Sequence, residues 1–234
     1  MMAPNWQVII ADIRASRQLT PALRARLPLE VRKALRPWQA LGGDAFRLAP
    51  EVLKGDEIQT VLRPDAPVLQ LVTYLRAKLA DATAGALKLR VGIGGGPIDR
   101  MSRKGPFESD GPAFHRARAA LEQARADGGA RATAWQLGVE HFDRLADGVL
   151  GLYDAVTMRW TVPQWEAVMA RIEGKELRVI AAASDVSIQS VSKRLLTASW
   201  TEVRGGAELL EQLARLELAE ARAGQKSAHS TRQG

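Results

Sequence analysis

Leu53-Lys54-Gly55-Asp56-Glu57-Ile58-Gln59, read together with Val8-Ile9-Ile10-Ala11-Asp12-Ile13, decides how this chain of 234 residues is understood. Phe46–Leu53 and Ile58–Leu62 are both strand-like, so the Gly-Asp between them marks a hairpin turn. The earlier segment is nearly continuous in apolar residues, the pattern of a central strand covered on both faces. Each segment sets an acidic residue where strand meets loop, Asp12 in one and Asp56 in the other. Two carboxylates on adjacent strands can share a divalent cation and, through it, the phosphates of a nucleotide. The bland alternative is that both are polar residues at strand ends.

Upstream of the hairpin, Thr20-Pro21 opens a helix, with Thr20 as cap and Pro21 at the first position. Leu23, Leu27, Val31, Ala34, Leu35 and Trp38 keep an approximately helical period, which Pro28 is expected to kink or divide. Gly42-Gly43-Asp44-Ala45-Phe46 invites comparison with the GGDEF signature of diguanylate cyclases. That signature needs a strand before it, whereas the residues before Gly42 are helical, so Asp44 reads as a loop residue. Downstream, residues 67–80 read as an amphipathic helix and 87–93 as a strand running into Gly94-Gly95-Gly96-Pro97. Such a Gly cluster lets backbone approach a ligand closely or simply makes a turn. A loop over 101–108 and a helix over 113–126 follow. Strand, helix, hairpin, helix, strand, helix is the order of a ferredoxin-like palm within an α+β chain.

Composition narrows the function classes. The 46% hydrophobic and 25% charged content is that of a globular protein. No apolar run nears the ~20 residues that span a bilayer, and Asp12 and Arg14 interrupt the apolar run that a signal peptide would need. Without cysteine, thiolate chemistry and Cys-rich zinc sites are excluded, and a cytoplasmic location is expected. A net charge of +7 and a pI near 10.1 suggest a polyanionic partner. Residues 1–130 carry 20 Lys/Arg against 13 Asp/Glu, whereas 131–234 carry 13 of each. The excess lies in Arg14, Arg17, Arg24, Arg26, Arg32, Lys33 and Arg36 among others, as a phosphate-facing surface or as a solvated helix face.

Asp12-Ile13-x-x-Ser16-Arg17, Gly55-Asp56-Glu57-x-Gln59, Arg90-Val91-Gly92-Ile93-Gly94 and Asp110-Gly111-Pro112-Ala113-x-x-Ala117-Arg118 resemble the SatD family. That family is similar in its N-terminal half to class III nucleotide cyclases and in its C-terminal half to helix-turn-helix proteins. The resemblance implies metal ligation (Mg²⁺ or Mn²⁺) by Asp12 and Asp56, with the Ile13 carbonyl as a further ligand. It implies nucleotide binding by Ser16, Arg17, Lys54 and Asp110, with Lys54 near the position that reads the base. Cyclases also place an asparagine and, four residues on, an arginine on the helix after the Asp-Gly segment. The corresponding positions here are His115 and Ala119, with Arg118 one residue, or ~100°, out of step. His115 and Arg118 are the catalytic candidates, and nucleotide binding is expected more than turnover.

Gly128-Gly129 marks a boundary, so residues 1–129 are expected to form the palm. A connecting helix over 130–158, helix-compatible from Thr133 to Thr157, would link it to an all-α helix-turn-helix domain over 159–223, and 224–234 reads as a disordered tail. Thr161 and Pro163 start a helix that Gly174 closes. Residues 180–195 resemble a helix-turn-helix, with small Ala181 at the crossing and Asp185 in the turn, a residue that tolerates a left-handed backbone. Ser187 would cap the next helix, Val191 and Leu195 would face its core, and Gln189, Ser190, Lys193 and Arg194 would face DNA. A generic three-helix bundle or a protein-binding element is the alternative. The expected protein is therefore a homodimeric regulator that binds a nucleotide and DNA. An active cyclase or triphosphate hydrolase, and a palm used only for dimerisation, are the other readings.

Overall fold

A computed structural model describes residues 5–14, 20–53, 56–126 and 131–230, with the side chains after residue 221 left aside. Five strands form one sheet: β1 (Asn5–Ile13), β2 (Phe46–Leu53), β3 (Glu57–Leu62), β4 (Leu89–Pro97) and β5 (Thr133–Gln136). Their order across the sheet is β2-β3-β1-β4-β5. All neighbours are antiparallel except β4 and β5. With α1 (Pro21–Gly42) and α2 (Val68–Ala82) as the crossovers, the first four strands have the ferredoxin-like arrangement expected, extended by β5. Thr20 caps α1 as anticipated, but the helix continues through both Pro28 and Pro37. Burial of Leu27, Val31, Leu35 and Trp38 outweighs the local cost of the two prolines.

β1 sits in the middle of the sheet and explains its own apolar sequence. Ile9, Ala11 and Ile13 face a large core shared with α1 and α2, while Val8 and Ile10 face α3 (Pro112–Ala126). The glycines of β4 serve that second layer. A Cβ on Gly92 would fall inside the backbone of α3 at Ala117 and Leu121, and one on Gly94 at Ala113 and Ala117. Of the two uses the sequence left open for this cluster, close approach is realised, but toward a helix. Gly95 packs on the other side against Leu137 and Leu218.

Residues 133–136 correct one expectation. They form β5, parallel to β4, and the helix α4 begins only at Glu140 and runs to Thr157. A four-residue edge strand carries little pattern of its own, and its pairing with β4 is non-local. Beyond it come α5 (Val162–Ile172), α6 (Leu177–Ala183), α7 (Ile188–Thr197) and α8 (Trp200–Ser230). α8 runs on through 224–230, where a disordered tail was expected; Gln, Lys and Ala there are good helix formers and offset the one glycine.

The C-terminal helices share the sheet's core. Trp160, Trp165, Leu210, Ala214 and Leu218 belong to the same buried cluster as Ile9 and Ile93. Asn5 donates to the Leu218 carbonyl at 2.6 Å. The buried Glu211 carboxylate of α8 accepts the Leu69 and Gln70 amides at 2.7 and 3.3 Å, capping the exposed donors of the α2 N-terminus. α6 and α7 pack with α5 around a smaller core of Ala167, Ala170, Ile180, Ala181 and Val191. Among the described residues, no helix is long and apolar enough to cross a membrane.

Candidate functional site

Asp12 lies in the last turn of the pleat of β1, on the face covered by α3. Cross-strand register sets Glu57 of β3 on one side of it and Arg90 of β4 on the other. The hairpin carboxylate Asp56 directly precedes Glu57, and its carbonyl accepts the Ile13 amide at 3.2 Å. Asp12 and Asp56 are thus brought to one end of neighbouring strands, as the sequence implied. Ser16, Arg17 and Lys54 lie outside the described residues.

Two arginines of α3 reach down onto these carboxylates. Arg125 donates Nε and Nη2 to one oxygen, Oδ2, of Asp12 at 3.0 and 2.7 Å, and it also pairs with Glu122 on its own helix. Arg118, two helical turns earlier, grips Glu57 with both terminal nitrogens at 2.7 and 2.8 Å. That bidentate contact, assisted by Gln59 at 2.9 Å, holds the Glu57 carboxyl below the usual carboxylate range despite partial burial. Burial works against the charge on Arg125, but Asp12 and Glu122 more than compensate and hold it protonated. The second oxygen of Asp12, Oδ1, is buried and has no hydrogen-bond partner, and neither does Arg90 Nε, which stands 3.7 Å away. Polar atoms so placed are unusual in a finished interior.

A carboxylate with one oxygen free of hydrogen bonds, at a strand end whose neighbouring hairpin carries Asp56, suits a hard divalent cation. The residues present therefore fit Mg²⁺ or Mn²⁺ in chemical type: Asp12 and Asp56 would hold it. Among the described residues, no three His, Asp or Glu side chains already converge as a cation cage. Arg90, Arg118 and Arg125 add the positive charge that a polyphosphate requires.

The other sequence candidates are dispersed. Asp110 and His115 meet at 3.0 Å at the start of α3. There the Asp110 carbonyl accepts the amides of Asp99 and Arg100, tying down the end of β4. α3 runs antiparallel to β4, so this corner is about 20 Å along the helix axis from Arg125 and Asp12. Of the two catalytic candidates, Arg118 is at the strand-end cluster and His115 is not. Glu57, Arg90 and Arg125 were missed. Register across β1 could have found the first two, and the seven-residue spacing from Arg118, two turns on the same helix face, the third.

In the α6–α7 unit, Asp185 takes the left-handed turn conformation, with φ of 50°, and Ser187 caps α7 by accepting the Ser190 amide. Gln189 and Lys193 are exposed, whereas Ser190 and Arg194 are half-buried. Ser190 turns its hydroxyl to Ser187 at 3.0 Å. Ser192 is exposed too, and the same helix displays Ile188 and Leu196.

Over residues 6–203 the sequence matches the SatD family. The chain belongs to that family. No curated protein matches it. Among solved structures it is similar to a bacterial light-regulated adenylyl cyclase at 13% identity, covering 60% of this chain and 45% of that one, with a TM-score of 0.44. The adenylyl cyclase CyaB from P. aeruginosa overlaps at 15% identity over 53% of this chain and 73% of that one, with a TM-score of 0.40. An EAL/GGDEF domain protein from M. capsulatus overlaps at 16% over 57% and 84%, with a TM-score of 0.34. The chain thus spans less than half of the first of these proteins, and its palm is defined by its own strand order and connectivity.

Proposed function

We propose that this SatD-family protein is a cytoplasmic regulator that binds a nucleotide, together with Mg²⁺ or Mn²⁺, at the Asp12–Asp56 end of its sheet, and DNA through α7. The observation that carries the first half is the buried Oδ1 of Asp12, which accepts no hydrogen bond and faces only Arg90 across 3.7 Å, set beside the Asp56 hairpin and below Arg118 and Arg125. Asp12 and Asp56 bind the cation, which when present neutralises phosphate charge. Arg118 keeps Glu57 charged and turned toward α3, so that this third acidic residue is already ion-paired. Lys54, Ser16 and Arg17 complete the nucleotide contacts in this reading. Binding is favoured over turnover because His115 stands at the far end of α3 and Arg118 is committed to Glu57. The alternative, a cyclase or triphosphate hydrolase, predicts a metal-dependent product that disappears in Asp56→Ala.

DNA binding rests on the capped α7 with Gln189 and Lys193 outward, and a homodimer would place two such helices on a two-fold operator. Nucleotide occupancy would then bias the relative placement of the two helices. A thermal-shift screen of nucleoside triphosphates with and without Mn²⁺, repeated on Asp12→Asn, tests the first half. A metal-dependent rise in melting temperature lost in the variant supports it, and no rise with any triphosphate rejects it.

A further inference from the structure

Asp12 Oδ2 cannot serve Arg125 and a cation with the same lone pairs. In the structure that oxygen accepts two N–H groups from Arg125, while Oδ1 is left facing Arg90 Nε across 3.7 Å. We infer that Arg125 is the gate of this site: it covers Asp12 in the absence of ligand and exchanges that carboxylate for a phosphate oxygen when a divalent cation and a polyphosphate arrive together. The inference rests on the reading of Asp12 and Asp56 as the cation-binding carboxylates.

The surroundings of the two α3 arginines single out Arg125 as the one that moves. Arg118 makes a fork-on-fork contact with Glu57, which is also held by Gln59. Leaving it would strand a partly buried carboxylate. Arg125 instead converges on one oxygen of Asp12 and keeps a second anchor, Glu122, one turn away on its own helix. Letting go of Asp12 therefore leaves it tethered and charge-compensated. Its side chain is about one-third exposed (33%), against 14% for Asp12, so the guanidinium is the more solvent-accessible member of the pair. A dication at Asp12 would be the third positive group there, after Arg90 and Arg125. Like-charge repulsion drives the mobile arginine off, and an incoming phosphate receives it.

The consequence is positive coupling. A cation alone at Oδ1 is repelled by Arg125 on Oδ2, which has no new partner to leave for beyond Glu122, and polyphosphate alone finds Arg125 already occupied. Each promotes the other by linkage. Arg125 is a positioning residue on this account, and its role is read in binding rather than in turnover.

The test is calorimetric titration of the full-length protein and of Arg125→Met with Mn²⁺ alone, and with inorganic tripolyphosphate at fixed Mn²⁺. Arg125→Met is expected to bind Mn²⁺ alone about five- to tenfold more tightly than the parent, and tripolyphosphate with Mn²⁺ about tenfold more weakly, in the usual range of such couplings. Arg125→Lys, which keeps the charge but loses the fork, is expected to lie between them and serves if the methionine variant does not fold by circular dichroism. If the parent binds Mn²⁺ in an Asp12-dependent way but both variants match it in both titrations, the gate is overturned and the site stands. If the parent shows no Mn²⁺-dependent tripolyphosphate binding at millimolar concentration, the site reading itself is overturned, and the gate with it.

Discussion

Arg76 of α2 and Asp154 of α4 meet at 3.1 Å with both side chains out of solvent, and the pair joins elements that the sequence separates widely. Arg76 also donates to the carbonyls of Leu89 and Ala132 and to the Thr133 hydroxyl. Asp154 accepts the amides of Ala132 and Thr133 and the same hydroxyl. The start of β5 is thereby fixed beside the start of β4, within reach of the strand end that carries Asp12. Every lone pair of the carboxylate is used, the condition under which a buried ion pair is tolerated. Asp154→Ala is expected to destabilise the protein by about 3–5 kcal/mol, because it strands a buried guanidinium. Urea unfolding followed by circular dichroism measures this.

Glu211 gives the α2–α8 contact a pH dependence of definite sign. Burial pushes its carboxyl up to about 7, against the opposing pull of the Leu69 and Gln70 amides. The folded state therefore binds a proton more tightly than the unfolded chain does. This residue's contribution to stability is fully present below about pH 4.5, the unfolded range, and declines as the pH rises toward 7. At 1.36 kcal/mol per unit of displacement, the loss is at most about 3 kcal/mol. Glu211→Gln keeps an acceptor for the two amides and removes the charge. The stability difference, variant minus parent, should grow between pH 5 and about 7.5 and level off above it; thermal melts across that interval check this.

Glycine substitutions separate packing from propensity. Gly92→Ala would drive a methyl group into the backbone of α3, and is expected to cost about 1–3 kcal/mol. It would also loosen Arg118 from Glu57. Gly148 lies inside α4 with open space around its Cβ position, so Gly148→Ala should stabilise by about 0.5–1 kcal/mol. Opposite shifts in melting temperature are the expected result.

On α7, Lys193→Ala should weaken DNA binding at fixed salt by a few-fold and lower the salt slope by about one. Fluorescence anisotropy with a duplex at several salt concentrations reads both quantities. Equal affinity and slope in the two proteins would remove α7 from the interface.

The palm was legible because its determinants are local. A nearly continuous apolar run at Val8–Ile13, Gly-Asp between two strand-like runs, and caps at Thr20, Thr161 and Ser187 are each readable within a few residues. The left-handed Asp185 was legible for the same reason. The immediate partners of Asp12 were not. Arg90 and Glu57 are set by β-register, and Arg125 approaches across more than a hundred positions of sequence, brought close by glycines that let α3 lie flat on β4. β5 escaped because its four residues owe their conformation to β4 and to the Arg76–Asp154 pair rather than to their own pattern. The strand ends and the family resemblance supplied Asp12, Asp56 and Arg118, but not Arg125, which sits on Asp12.

The most direct measurement is isothermal titration of the protein with nucleoside triphosphates in the presence of Mn²⁺, alongside Asp12→Asn and Asp56→Asn. Nucleotide binding at the strand end predicts saturable, Mn²⁺-dependent binding of at least one triphosphate that each substitution weakens tenfold or more. Binding of equal strength in all three proteins, or none in the parent at millimolar ligand, would contradict it.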